Sequence, residues 1–123
     1  MNLQEVKQEL FNRVYTHLLT QKKKSRLEDF CRYRGLEGTK CAVGVLINDK
    51  FYEEALEGKN LIADNVLMAV EKSNPEIFTR IKASYVAGFL GILQNIHDFE
   101  NVESWAEELG ELAREENLSI PTL

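Results

Sequence analysis

The residues of this 123-residue chain with the most reactive chemistry are Cys31, Cys41, His97 and Asp98, with His17 as an outside candidate. Zinc takes thiolate and imidazole ligands in tetrahedral geometry, so two cysteines on a hairpin and a histidine from a helix would offer Cys31, Cys41 and His97. The nine residues between the cysteines match no compact zinc knuckle, however, and no CxxC occurs. The competing expectation is that both thiols are small buried apolar groups and that His97 sits at the core edge bonded to a neighbouring carbonyl. No cofactor is therefore expected, with zinc as the alternative. A thiol enzyme would need His97 as a base within reach of a cysteine and a third group to orient it. Asp98 is adjacent, but neighbours on a helix point about 100° apart, which predicts a poor orienting geometry. No oxyanion-hole motif accompanies the cysteines.

A second constellation is Arg32-Tyr33-Arg34 with Lys40. On a strand the two arginines share a face roughly 7 Å apart. Two guanidinium forks suit a phosphate or a carboxylate, with Tyr33 turned to the core. The plainer use of such residues is to keep a hairpin edge soluble.

Charge is segregated along the chain. The net value is −5. Seven basic residues (Lys22, Lys23, Lys24, Arg26, Arg32, Arg34, Lys40) face Glu28, Asp29 and Glu37 between positions 22 and 40, a local +4. Seven glutamates stand against Arg114 between positions 100 and 116, a local −6. Glu107, Glu108, Glu111 and Glu115 form a candidate partner surface within that run. Such ends can pair with each other, meet partners of opposite charge, or simply be solvated. The acidic balance and the lack of a helix-turn-helix or zinc-finger pattern argue against nucleic acid as a partner. No Walker A or GxGxxG loop occurs.

The elements that must position these residues follow from periodicity. Residues 3–21 carry Leu3, Val6, Leu10, Val14 and Leu18 at helical spacing, with Phe11, Tyr15 and Leu19 beside them, and the basic run 22–24 suits a helix C-terminus. Residues 30–34 and 40–47 read as strands around Gly35-Leu36-Glu37-Gly38, a loop with the glycines that a hairpin turn needs. That hairpin would set Cys31 nearly opposite Cys41. The second strand is apolar on both faces, as a covered strand is, and Gly44 suggests close approach by a helix or a ligand. Short helices are expected over 50–57, 60–72 (using Ile62 among its apolar residues) and 76–82, the last started by Ser73-Asn74-Pro75. Residues 84–97 form the most apolar helix, with Val86, Phe89, Leu90, Leu93, Ile96 and His97 on one face. Gly88 and Gly91 there would admit a close neighbour. A capping box at Ser104–Glu107 starts a last helix to about 116, with 118–123 left as a tail.

The central run contains Cys31, Tyr33 and Arg34, then Lys40-Cys41-Ala42-Val43-Gly44, Leu46-Ile47, Asp49, Tyr52 and Glu57-Gly58; Leu93-Gln94 and His97-Asp98 follow later. In these features it resembles small uncharacterised proteins of bacteriophages and bacteria. The resemblance covers about residues 31–98. It implies a phage-type accessory protein and carries no catalytic residue with it.

Together these readings give one α+β domain over 1–123, predominantly helical, with a small antiparallel hairpin packed against about five helices. No apolar run approaches the roughly 20 residues that span a bilayer, and no signal peptide is evident, so a cytoplasmic protein is expected. The expected function is a non-enzymatic interaction protein, a phage accessory factor that binds a host or defence protein, acting as a monomer or homodimer. The alternatives are a nucleotide or phosphate binder using Arg32, Arg34 and Lys40, and a zinc- or thiol-dependent enzyme.

Overall fold

The computed structural model describes residues 1–61 and 63–123. It is an α+β fold dominated by helices: four α-helices and one two-stranded antiparallel sheet among the described residues. None of these helices is long and apolar enough to cross a membrane.

Helix α1 (Leu3–Gln21) begins with a reciprocal cap. The Asn2 side chain accepts the Glu5 amide at 2.8 Å, and the Glu5 carboxylate accepts the Asn2 amide at 2.9 Å. Two otherwise orphaned donors are satisfied in this way. Its buried stripe is Val6, Leu10, Phe11, Val14 and Leu18, as the spacing predicts, while Leu3 stays exposed. Lys22, in the left-handed region at φ 52°, ends it by donating its amide to the Leu18 carbonyl.

The sheet lies earlier in the chain than expected. Strands β1 (Arg26–Leu27) and β2 (Phe30–Cys31) pair with Arg26 opposite Cys31 and Leu27 opposite Phe30, so the turn falls at Glu28-Asp29. Cys31 therefore does not face Cys41. The glycine loop 35–38 is closed only by a single antiparallel bridge between Arg34 and Lys40. Residues 40–47 are not a strand. After Cys41 the chain coils through a buried 3-10 turn at Gly44–Leu46, with the Val45 amide bonded to the Cys41 carbonyl and the Ile47 amide to that of Gly44. A turn sealed on every side is as uniformly apolar as a covered strand, and periodicity does not separate the two. Gly44 does mark a close approach, by the Tyr33 backbone rather than a helix or ligand: a Cβ there would overlap the Tyr33 carbonyl.

The short helices resolve differently from expectation. Residues 50–57 form two 3-10 turns, Asp49–Phe51 and Glu54–Leu56, separated by extended Tyr52 and Glu53. Helix α2 (Asp64–Ser73) starts later than position 60, and Ile62 lies outside the described residues. Residues 76–82 do not become a helix because Asn74 is already committed. Its side-chain amide caps the end of α2 at Val70 O and also holds Leu46 O, and its side-chain oxygen is taken by Arg13. Among the described residues that oxygen accepts none of the amides of residues 76–78.

Helix α3 (Ala87–Phe99) follows a 3-10 turn at Ala83–Val86 and buries Phe89, Leu90, Leu93, Gln94, Ile96 and His97. The expected crowding at its glycines is absent: Gly91 has only an ordinary contact with Leu61, and Gly88 faces open space. Helix α4 (Trp105–Glu115) is entered from a 3-10 turn at Val102–Ser104. Ser104 is consequently already in a near-helical conformation (φ −95°, ψ −7°), so the expected capping box does not form. Helix α1 packs on α3, on α4 and on the 44–46 turn, around Leu10, Phe11, Leu18, Leu93, Trp105 and Leu109. The expected tail is anchored at its start, residues 118 and 119. Leu118 is buried, Ser119 bonds Gln8, and Gln4 and Lys7 of α1 hold Glu116 and Asn117.

Candidate functional site

The end of α3 delivers His97 into the core and Asp98 to the bottom of a cleft of about 250 Å³, where Cys31 of β2 also lies. His97 is fully buried and stacks on Trp105, ring centroids 5.5 Å apart. Its Nε2 receives the Ser25 backbone N–H at 2.9 Å, and its Nδ1 lies 2.7 Å from the Asp98 carboxylate. A backbone N–H can only donate, so Nε2 holds a lone pair and the ring proton sits on Nδ1, donated to Asp98. The expectation that Asp98 cannot orient its neighbour is corrected here. The short carboxylate arm, at the last turn of the helix, reaches sideways to the adjacent ring.

Asp98 gathers further donors. Gln94 gives it a side-chain N–H at 2.8 Å while accepting the Val43 amide at 3.0 Å, and the Cys31 sulfur lies within 4.8 Å of it. Burial pushes the Asp98 carboxyl up, but the bonds from His97 and Gln94, with the Cys31 thiol beside them, outweigh it and hold it below the usual range. The Cys31 thiol moves up, first through burial and then through the Asp98 charge, with the Arg26 guanidinium opposing. Cys41, wholly buried, is pushed up to about 12 by desolvation and accepts the Gly44 amide at 3.2 Å.

These contacts decide what the cluster can do. Ligand-type atoms of Cys31, His97 and Asp98 lie within 4.8 Å of one another, and Cys41 is not in that group. Nε2 is occupied by Ser25 N–H and Nδ1 carries the proton given to Asp98, so a metal at this cluster would have to displace that proton. The order thiol–carboxylate–imidazole is also unlike a nucleophile and its base. The carboxylate stands where the base would be, and it opposes the thiolate that a nucleophile needs. The cluster ties β2, residue 25 and residue 43 to α3.

The basic residues 32 and 34 are likewise engaged within the molecule. Arg32 donates to the Arg34 carbonyl at 2.9 Å and to Glu54 at 2.7 Å, with Glu57 at 3.7 Å. Arg34 donates to the Ile47 carbonyl at 3.0 Å, pairs with Asp49 at 2.8 Å, and lies 4.3 Å over the Tyr52 ring. A phosphate at these forks would have to displace those partners. Tyr33 is buried as expected, its hydroxyl donating to the Lys59 carbonyl. The Lys40 backbone is held by Gln21 and His17, and no ion pair of its side chain occurs among the described residues.

Sequence reasoning did not single out Glu57 for any role. Its carboxylate accepts the Tyr33 and Arg34 amides at 2.9 and 3.0 Å and the Tyr52 hydroxyl at 2.7 Å. A nearly buried carboxylate requires such donors. No periodic signal announces it; only its place before Gly58 near an aromatic-rich run hints at a fixed role.

The remaining feature is the outer face of α4 and the turn before it. Glu100, Glu103, Glu107, Glu108, Glu111 and Glu115 make no ion pair among the described residues; only Glu116 does, with Lys7 at 2.9 Å. Glu108 is pushed above the usual carboxylate range by partial desolvation and then by the charges of Glu100, Glu111 and Glu107. Comparison of the chain with family models, curated proteins and solved structures gives no match.

Proposed function

We propose that this is a non-enzymatic interaction protein that docks a basic partner on the carboxylate face of α4. The observation that carries the reading is the set of six glutamates from Glu100 to Glu115 that make no ion pair among the described residues, with Glu108 pushed up by desolvation and then by its acidic neighbours. Like charges held together without counter-charge oppose folding and favour association with a cationic surface. The chemistry-bearing residues support the same reading, since the thiols, His97 and both arginines are engaged in holding the fold together. The resemblance to phage and bacterial proteins suggests a host or defence protein as the partner.

The test is affinity capture from a bacterial lysate with the wild type and with Glu107→Lys/Glu111→Lys/Glu115→Lys. A partner held by the wild type, released by salt and lost on charge reversal supports the reading, because exposed charges are screened within about 8 Å at physiological ionic strength. The variant should melt no lower than the wild type, as it relieves repulsion. A partner retained equally by both proteins would sink the proposal.

A further inference from the structure

The polar cleft at Cys31 offers little to a ligand, because its Glu57, Gln94 and Asp98 are already hydrogen-bonded within the molecule. A second cleft, of about 450 Å³, opens where the end of α1 meets the start of α4. Its walls are Leu19, Val102, Ala106 and Leu123, with Trp105 beneath, and Lys22 and Glu103 stand on it. The lining is mainly apolar, unlike that of the cleft at Cys31. Trp105 is fully buried, and its indole Nε1–H finds no acceptor among the described residues. A sealed donor without a partner is uncommon in a folded protein and marks a place where an acceptor is missing.

The cleft is continuous with the acidic face. Ala106 and Glu107 follow Glu103 by three and four residues, so all three share one side of α4, and Glu111 is one turn further along it. Apolar walls and a neighbouring row of carboxylates define complementary chemistry in a single occupant. Building on the docking function proposed above, we infer that this cleft takes one bulky apolar side chain of a basic peptide segment. The lysines or arginines of that segment lie along Glu103, Glu107 and Glu111. Lys22, on the opposite rim, repels cations from that side and so sets the direction in which the segment crosses.

Trp105 is the only tryptophan in the chain, so its emission reports the cleft directly. The probes are acetyl-Lys-Lys-Leu-Lys-Lys-amide and the same peptide with alanine in place of leucine, titrated at low salt. The leucine peptide should change Trp105 emission saturably. The alanine peptide should bind roughly tenfold more weakly, as expected for losing most of a buried leucine side chain. Ala106→Phe, at an exposed position, fills the cleft and should weaken the leucine peptide to the level of the alanine one. Equal affinity for the two peptides, lost only on reversing Glu107, Glu111 and Glu115, would overturn the anchor cleft while leaving the acidic docking surface standing. Failure of the leucine peptide to bind would overturn the cleft as well; the docking surface itself is decided separately by the lysate capture.

Discussion

A thiol beside a carboxylate resists ionisation, and one beside a guanidinium yields to it; Cys31 has both neighbours, with burial and Asp98 prevailing over Arg26. At pH 8 we expect Ellman's reagent to titrate Cys31 more slowly than free cysteine, and Cys41 only on unfolding. Asp98→Asn removes the opposing charge, so Cys31 should react severalfold faster in that variant while Cys41 stays protected, which shows that the fold is intact. An unchanged Cys31 rate would mean that the carboxylate does not govern the thiol. The residue types at this cluster are legible in the sequence, since Cys31, His97 and Asp98 stand out by chemistry alone. Their order is not. It depends on which strand pairs with β2 and on a backbone donor at Ser25, neither of which leaves a pattern in residue type. Glu57 was hidden for the same reason, because three of its partners are two main-chain amides and one hydroxyl.

Elements with a long apolar stripe were readable, and those held by one side chain were not. Helices α1 and α3 bury the faces that their spacing predicts, apart from the exposed Leu3, because three or more turns of 3.6-residue periodicity leave little ambiguity. The start signal at residues 73–75 failed where Asn74 spent its amide and carbonyl on Val70, Leu46 and Arg13. The 40–47 segment failed as a strand where Gly44 let the chain turn against Tyr33. Gly44→Ala forces a methyl into the Tyr33 backbone, and backbone has little room to give. We expect a loss of about 3 kcal/mol, at the upper end for overpacking, read as a lower urea midpoint with an unchanged slope. A midpoint within error of the wild type would show that the approach at Gly44 is looser than the geometry implies.

Stability of the whole molecule should respond to acid in two separate windows. His17 is held below its ordinary 6.5 by burial, against the raising effect of its bond to the Lys40 carbonyl. The unfolded chain therefore takes up the proton first, and stability falls as pH drops below about 6.5. His17→Gln keeps a donor for that carbonyl and removes the titration, so the decline in Tm between pH 7 and pH 5 should be shallower in the variant. Parallel Tm profiles would place the acid sensitivity elsewhere. At lower pH two groups pull in opposite directions. Asp98, held low in the fold, loses its contribution as it protonates, while Glu108, held high, gains from shedding its charge among Glu100, Glu107 and Glu111.

The docking of α1 onto α4 and onto the residues after it has a temporal consequence. Gln4, Lys7 and Gln8 find their partners more than 100 positions later in the chain. Closing a loop of that length carries an entropic cost before any contact repays it, which slows a helical protein that would otherwise fold quickly. During synthesis the apolar stripe of α1 therefore emerges well before its α4 cover. Until α4 follows, the part of that stripe beneath it is open hydrophobic surface, the kind on which a ribosome-associated chaperone would act.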